Sequence, residues 1–202
     1  MALKAISTAA LPLRQWPAPG EWTYEDYFNL PDDGNRYEVI YGELYLMAPV
    51  PSPLHQRISR NLEFLLWTHV QAHDLGEVLD APCDVIMGTG ATPVQPDVIF
   101  ISKVKLDIIT KKNITGVPDL LVEILSASNP EHDREIKFNL YAQSGVAEYW
   151  IVDSEAQTVE VFALNEGAYS LLGRFGSGEE VLSKVVAGFR VAVDEVFPTE
   201  KI

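Results

Sequence analysis

The chain has 202 residues, 47% of them hydrophobic, so it can bury one core and we expect a single domain at residues 21–202. Its 15 basic and 29 acidic residues give a net charge of −14, which argues against a protein that holds nucleic acid by surface charge alone. The chain shows neither an apolar run of about 18 residues nor a secretory signal pattern, so we expect a cytoplasmic protein without a membrane span.

The N-terminal part predicts a lead-in, a short helix and a hairpin. Residues 1–20 are rich in proline and show no apolar period, which is typical of a flexible segment. Thr23 is a suitable cap for a short helix through Leu30. Two strand-like runs within residues 37–47 then pivot on Gly42 and predict a hairpin or a bulged strand.

Two longer segments predict the main helices. Apolar residues recur every three or four positions from Leu54 to His73, which indicates a helix with one buried stripe, and Gly76 is its expected stop. Pro130 begins, and Gly145 ends, a second segment, which predicts a helix of roughly 13 to 15 residues.

The other apolar runs predict a mixed central sheet. The run at 120–125 is almost continuously apolar, as expected for a central strand. The two helices, with the strands between them and the first strand after them, have the order α-β-β-β-α-β. This order predicts an α/β fold with a β extension at its C-terminal end. The segment 77–87 predicts a strand or a strand pair around Pro82. The other predicted strands lie at 94–101, 120–125, 147–152, 158–164 and 169–175, followed by a loop-rich stretch at 176–202.

Two carboxylates lie within these apolar strands, Asp97 and Glu123, and Lys137 follows on the second helix. An acidic side chain among Val, Ile and Leu loses hydration, so it is retained where a cation, hydrogen bonds or a catalytic role compensates. Two carboxylates and an ammonium, if they meet, can hold a divalent metal and stabilise charge at a phosphate.

Five sequence blocks, in the order found here, resemble those of the Uma-type restriction endonucleases, a family of the PD-(D/E)XK nuclease superfamily. The resemblance runs over residues 22–197 and implies a restriction-endonuclease-like core. The blocks are RYEVIYGEL at 36–44, PLHQ at 53–56, QPD at 95–97, LVEILS at 121–126 and GVAEYWIVD at 145–153.

One position departs from the superfamily pattern, which places a lysine two residues after the glutamate. That position here is Leu125, so the resemblance implies that the lysine has moved to the next helix, as Lys137. Helical spacing places Asp133, Lys137 and Tyr141 on one face, from which a long lysine side chain can reach the carboxylates. The alternative is a structural surface pair between Lys137 and Asp133.

The predicted site follows from this resemblance. We expect Asp97, Glu123 and the backbone carbonyl of Ile124 to bind Mg²⁺ or Mn²⁺, with Lys137 orienting the nucleophile or stabilising charge at phosphorus.

Three further side chains are candidates for the same site. The resemblance suggests that Glu38 or Glu43 points into it, although a solvated role for either remains open. His55 can bind phosphate or donate to a carboxylate, and a capping or structural role is its alternative.

The predicted function is a metal-dependent endonuclease with DNA as its expected substrate. Basic residues are clustered in two places despite the net negative charge, as lysines within 102–118 and as the pair Arg57 and Arg60. The alternative is that both groups are ordinary solvated surface residues. Unpaired strand edges within 158–175 favour a homodimer. The competing hypotheses are a catalytically inactive binding module and a hydrolase of a smaller phosphodiester, which suits the net charge better.

Overall fold

The fold is taken from a computed structural model, which describes residues 16–47, 51–88, 91–126 and 130–198. Most of the predicted lead-in therefore lies outside the described residues. Trp16, at its end, stacks on Trp22 with ring centroids 5.5 Å apart, and the two rings belong to a small apolar cluster beside the first hairpin.

The helices agree with the sequence pattern. Thr23 caps α1 through reciprocal hydrogen bonds with Asp26, and the Ser52 side chain caps α2 by accepting from the backbone N–H of His55 at 3.1 Å. In the described residues, no helix is long and apolar enough to cross a membrane. The helices are α1 Tyr24–Phe28, α2 Pro53–Ala72, a 3₁₀-helix Lys103–Ile108, a π-helix His132–Lys137 that continues into α3 Phe138–Ser144, and α4 Val193–Val196.

The strands form two main sheets and one small ribbon. The six-stranded sheet has the order β11-β10-β9-β8-β6-β3, the five-stranded sheet β2-β1-β5-β4-β7, and the ribbon β12-β13. The strands are β1 Tyr37–Ile40, β2 Glu43–Leu46, β3 Gly76–Asp80, β4 Val85–Met87, β5 Ala91–Val94, β6 Val98–Ser102, β7 Ile114–Thr115, β8 Leu120–Ile124, β9 Glu148–Asp153, β10 Thr158–Asn165, β11 Ala168–Phe175, β12 Glu180–Leu182 and β13 Arg190–Ala192.

The six-stranded sheet carries the predicted core. β8 lies inside it, antiparallel to β6 and parallel to β9, so the sheet is mixed. Taking α2, β3, β6, β8, α3 and β9 in order reproduces α-β-β-β-α-β. The predicted fold class is confirmed, and so is the hairpin of β10 and β11.

One predicted strand divides in the structure. The run at 94–101 is two strands in different sheets, because β5 ends at Val94 and β6 begins at Val98. Pro96 between them has no N–H to give to a sheet, which explains the break. Asp97 therefore immediately precedes β6 rather than lying within a longer strand.

The segment 77–87 is a strand pair around Pro82, one of the two predicted alternatives. β3 ends at Asp80 and β4 begins at Val85, and the two strands belong to different sheets.

Other boundaries also move. α2 ends at the His73 cap, and Gly76, which the sequence suggested as the helix stop, instead begins β3 with φ +151°. The stretch at 176–202 was expected to be loop-rich, but it contains β12, β13 and α4. Their apolar residues join the core on the α2 side of the sheet.

The two faces of the six-stranded sheet are buried by different elements. Trp150 belongs to the cluster under α2, while the adjacent Tyr149 belongs to the cluster under α3 and the five-stranded sheet. Successive side chains of β9 therefore point to opposite faces of the sheet and fill both cores. The stripe of α2 that faces the sheet is fully buried, at Ile58, Leu62, Leu66 and Val70.

The α2 stripe generates a stability prediction. Leu66 is 0% exposed and Phe64, two residues earlier, is 62% exposed on the opposite side of the same helix. Leu66→Ala should lower the free energy of unfolding by about 2 to 5 kcal/mol through the cavity that it leaves. Phe64→Ala should stay within about 0.5 kcal/mol. Urea titrations of both variants measure this, and equal losses would contradict the packing of α2.

Candidate active site

The antiparallel pairing of β6 and β8 brings two distant carboxylates together. Val98 lies opposite Val122, so the next pair outward is Asp97 and Glu123, on the same face at one end of the sheet. Oδ2 of Asp97 accepts the backbone N–H of Ile124 at 2.8 Å. Asp97 and Glu123 are 26 positions apart in sequence, and the strand register makes them neighbours.

Lys137 completes the predicted trio from the helix side. Its Nζ lies 3.0 Å from Oε1 of Glu123, 3.0 Å from Oε1 of Glu38 and 3.7 Å from Oδ1 of Asp133. The lysine side chain is only 3% exposed. The alternative of a simple surface pair with Asp133 is therefore wrong, because the ammonium is buried among three carboxylates.

Glu123 has a second donor from the helix. The Tyr141 hydroxyl donates to its Oε1 at 2.6 Å, one turn beyond Lys137. The face predicted to carry Asp133, Lys137 and Tyr141 is thus the face that meets Glu123, and all three side chains are buried.

Of the two glutamates on the first hairpin, Glu38 enters the cluster. Its Oε1 accepts the backbone N–H of Gln95 at 2.8 Å, and its Oε2 lies 3.1 Å from Nε2 of His132. The hairpin register pairs Glu38 with Tyr45 and Ile40 with Glu43. Glu43 therefore shares the face of Glu38 but lies about 7 Å nearer the turn, outside the cluster.

His55 is the candidate that lies at the accessible side. Its Nε2 lies 3.2 Å from Oδ2 of Asp97, and both side chains are 16% exposed. Burial lowers the pKa of His55, but the hydrogen bond to Asp97 and the charge of that carboxylate outweigh it, so the pKa is raised. The ring belongs to the site, while the backbone of the same residue takes part in the α2 cap.

The cluster holds more negative than positive charge. Burial raises the pKa of Glu123 well above its ordinary value, and Lys137 only partly opposes this effect. Burial likewise raises the pKa of Asp133, to about 6. Glu38 differs: burial raises its pKa, but Lys137 and His132 outweigh burial and lower the pKa to about 2.

Lys137 stays charged in this environment. Burial lowers its pKa, yet Glu123, Glu38 and Asp133 together raise it well above the ordinary value. The ammonium thus contacts three carboxylates, those of Glu38, Glu123 and Asp133, and a fourth, Asp97, stands beside Glu123 with His55 as its partner. A divalent cation is a suitable compensation for such a surplus.

The donor set fits a hard cation. The contacts above occupy Oδ2 of Asp97 and Oε1 of Glu123, so the second oxygen of each carboxylate is the atom that would bind an ion, and the backbone carbonyl of Ile124 is the third donor expected from the sequence. Among the described residues, no three side chains of His, Cys, Asp or Glu are grouped as ligands of one ion. The remaining positions of an octahedral shell would therefore belong to the carbonyl, water and substrate oxygens.

His132 also belongs to the cluster, although the sequence pattern did not mark it as a site residue. It contacts Glu38 and packs against Tyr45, with ring centroids 5.0 Å apart. The residue lies five positions before Lys137, a spacing that an ordinary α-helix does not place on one face. A histidine is a candidate site residue by its type, but an ordinary α-helix would point the side chain of His132 away from that of Lys137.

Comparisons with known proteins identify the family and the fold of the chain. The family described as Uma2, putative restriction endonuclease, matches residues 24–194. An uncharacterised protein of Synechocystis sp. is 26% identical over 165 residues, which are 80% of this chain and 83% of that protein. The crystal structure of a putative nuclease belonging to DUF820 from Anabaena variabilis has a TM-score of 0.71 at 17% identity, covering 87% of this chain and 97% of that one. At this identity the structural likeness shows a shared, nuclease-like fold.

The surplus of negative charge predicts a pH-dependent gain from Asp133→Asn. The Asp133 carboxyl keeps its proton to about pH 6 in the folded state but loses it near 3.8 when unfolded, so folding is penalised increasingly between these values and fully above them. In chelator at about pH 8, the variant should be stabilised by about 1 to 3 kcal/mol, and the gain should vanish below about pH 4.

Urea titration across this pH range measures the effect. Asp74→Asn is the control, because Asp74 is an exposed carboxylate paired with Lys103 on the surface. A loss of stability in Asp133→Asn at about pH 8 would show that Lys137 compensates for Asp133 completely.

Proposed function

Because the chain belongs to the Uma2 family of putative restriction endonucleases, we propose that it is an endonuclease that hydrolyses phosphodiester bonds of DNA with the help of Mg²⁺ or Mn²⁺. The observation that carries this proposal is the meeting of Asp97, Glu123 and Lys137 at one end of β6 and β8. Two carboxylates that can hold a cation, beside an ammonium that can stabilise negative charge, are suited to phosphodiester hydrolysis.

Each residue has a distinct role in this proposal. Asp97, Glu123 and the carbonyl of Ile124 would hold the cation, and a bound cation would supply Lewis acidity at the phosphate and lower the pKa of a water molecule. Lys137 keeps its charge and offers it to the negative charge that develops at phosphorus. Because Lys137 is clamped between two glutamates, its ammonium needs little reorganisation during the reaction.

His55 orients Asp97 in this proposal. Its Nε2 lies 3.2 Å from Oδ2 of Asp97, and its Nδ1 is buried without a hydrogen-bond partner among the described residues, so neither ring nitrogen is open to an incoming phosphate. Burial lowers the pKa of His55, but the hydrogen bond and the charge of Asp97 outweigh burial and raise it, which favours the protonated ring beside this carboxylate. Asp97 then has two functions, holding the cation and binding this ring.

The surface supports a limited contact with the nucleic-acid backbone. Within the lysine-rich segment, Lys103 pairs with Asp74 and Lys105 lies 2.7 Å from Asp119, so these charges are partly neutralised. Arg57, by contrast, is exposed on the first turns of α2, two residues from His55. We assign the phosphate contacts outside the site to this end of α2.

A homodimer is also part of the proposal. β11 is an edge strand of the six-stranded sheet, and Leu171 and Leu172 on it are 55% and 37% exposed. An edge strand with exposed leucines favours pairing with a second copy. Two copies would supply two sites, as cutting both strands of a duplex requires.

A hydrolase of a smaller phosphodiester is the second candidate, and the net charge of −14 favours it. Cleavage of a plasmid should weaken steeply as salt rises if long DNA is bound through phosphate contacts. A small chromogenic phosphodiester should be hydrolysed with little salt dependence. Turnover of the small ester without any plasmid cleavage would decide for the second candidate.

The three central residues can be tested against a matched control. Asp97→Asn, Glu123→Gln and Lys137→Met should each lower plasmid cleavage in Mg²⁺ or Mn²⁺ on the order of 100-fold or more. Asp119→Asn is the control, because Asp119 accepts the N–H of Ser102 at 2.8 Å at the opposite end of the same strand pair.

Binding of Mn²⁺, followed by calorimetry, separates the roles within the trio. It should be lost in the Asp97 and Glu123 variants and kept in Lys137→Met. Cleavage that persists in the Asp97 and Glu123 variants would assign it to a contaminant.

A further inference from the structure

Two side chains of the π-helix reach the same glutamate. His132 approaches Oε2 of Glu38 at 3.1 Å and Lys137 approaches Oε1 at 3.0 Å. The two residues are five positions apart. In an α-helix they would point roughly 140° away from each other. A π-helix bonds residue i to residue i+5, so it places both on one face. The wider helical turn is therefore what allows both contacts.

The π-helix is held from the sheet by a buried tyrosine. The hydroxyl of Tyr149 on β9 donates to the backbone carbonyl of Asp133 at 3.1 Å, and the tyrosine is 0% exposed. Buried carbonyls need a partner, and here a side chain of the sheet provides it. Burial raises the pKa of Tyr149 well above its ordinary value, so the hydroxyl remains a donor.

An arginine holds the same segment on its other side. Arg134 extends away from the cluster and binds Glu160 on β10, with Asp153 on β9 at 3.5 Å. Glu160 is buried, and it also accepts from Arg174. The segment is thus attached to two strands of the sheet while its inner face carries the lysine.

Glu38 is the polar partner of the buried His132 ring. Its ring is 7% exposed, and its Nδ1 is buried without a hydrogen-bond partner among the described residues. A buried nitrogen left in this way costs free energy. The contact of Nε2 with Glu38 is the interaction that offsets the cost.

From these contacts we propose that His132 and Tyr149 are positioning residues that hold Lys137 against Glu123 through the π-helix. His132 orients Glu38, Glu38 orients the ammonium, and Tyr149 keeps the wide turn that gives both side chains one direction. This inference rests on the proposed function for its kinetic part, since the lysine is the group that acts on the substrate. The positions of Lys137 and its neighbours can be tested without any reaction.

The first experiment compares two tyrosine variants. Tyr149→Phe removes the hydroxyl that binds the Asp133 carbonyl. Tyr169→Phe removes a hydroxyl that donates to the Val146 carbonyl at 2.9 Å, in the same aromatic cluster but outside the π-helix. Tyr149→Phe should lower kcat roughly 10- to 100-fold with KM unchanged, and Tyr169→Phe should leave both unchanged.

A second readout does not depend on activity. Amine acetylation of the folded protein, followed by peptide mass spectrometry, reports the exposure of Lys137 relative to the exposed Lys111. Lys137 should react slowly in the wild type and in Tyr169→Phe. In Tyr149→Phe its acetylation should rise on the order of 10-fold, because a displaced ammonium is less buried and less paired.

The histidine is tested by a conservative pair. His132→Gln keeps a donor for Oε2 of Glu38 and should retain wild-type kcat within about 3-fold, whereas His132→Leu should behave like Tyr149→Phe. Circular dichroism confirms that each variant is folded. Rescue by glutamine distinguishes positioning from mere space filling.

The outcomes separate the two proposals. If the wild type cleaves nothing but Lys137 becomes reactive only in Tyr149→Phe and His132→Leu, the positioning role stands and the proposed function fails. If the wild type cleaves and these variants match Tyr169→Phe in kcat and acetylation, the positioning role is overturned. A fall in kcat without a change in the acetylation of Lys137 also overturns it.

Discussion

The structure depends on one buried ammonium. Lys137 is 3% exposed, and a charge in that position is tolerated only when it is paired and hydrogen-bonded. Its partners come from three elements: Glu38 from the first hairpin, Glu123 from the centre of the six-stranded sheet and Asp133 from the π-helix. The lysine therefore ties the two sheets to the helix at the place where the chemistry is proposed, so that stability and function share the same contacts.

A comparison of the two ends of β6 and β8 shows what makes one of them a site. Asp97 accepts the N–H of Ile124 at one end, and Asp119 accepts the N–H of Ser102 at the other, each at 2.8 Å. At the second end the remaining partner is Lys105, which is 39% exposed. The first end adds Glu123 on the face of Asp97, and the buried ammonium of Lys137 contacts this glutamate. An aspartate beside a strand is common structural chemistry, and the surplus of carboxylates is what favours a metal ion.

The distribution of pKa shifts divides the cluster into two parts. Lys137 and His132 lower the pKa of Glu38 to about 2 despite its burial, so this carboxylate is fully compensated within the protein. Burial raises the pKa of Glu123 well above its ordinary value, so its charge is undercompensated. The first carboxylate is suited to hold the lysine, and the second is suited to receive an external cation. The two glutamates on Lys137 thus differ in how far the protein compensates their charge, although both lie 3.0 Å from the ammonium.

The amino-acid sequence alone determined the order of elements, the family resemblance and the candidates Asp97, Glu123 and Lys137, because apolar periodicity and isolated charges are local properties. It could not separate Glu38 from Glu43, since strand register decides which one lies beside the lysine. It also could not reveal His132, whose direction depends on a π-helix stabilised by contacts from the sheet, such as the Tyr149 hydroxyl. Only the tertiary structure decided these two features, because the partners that pair with a buried charge or stabilise a π-helix come from distant parts of the chain.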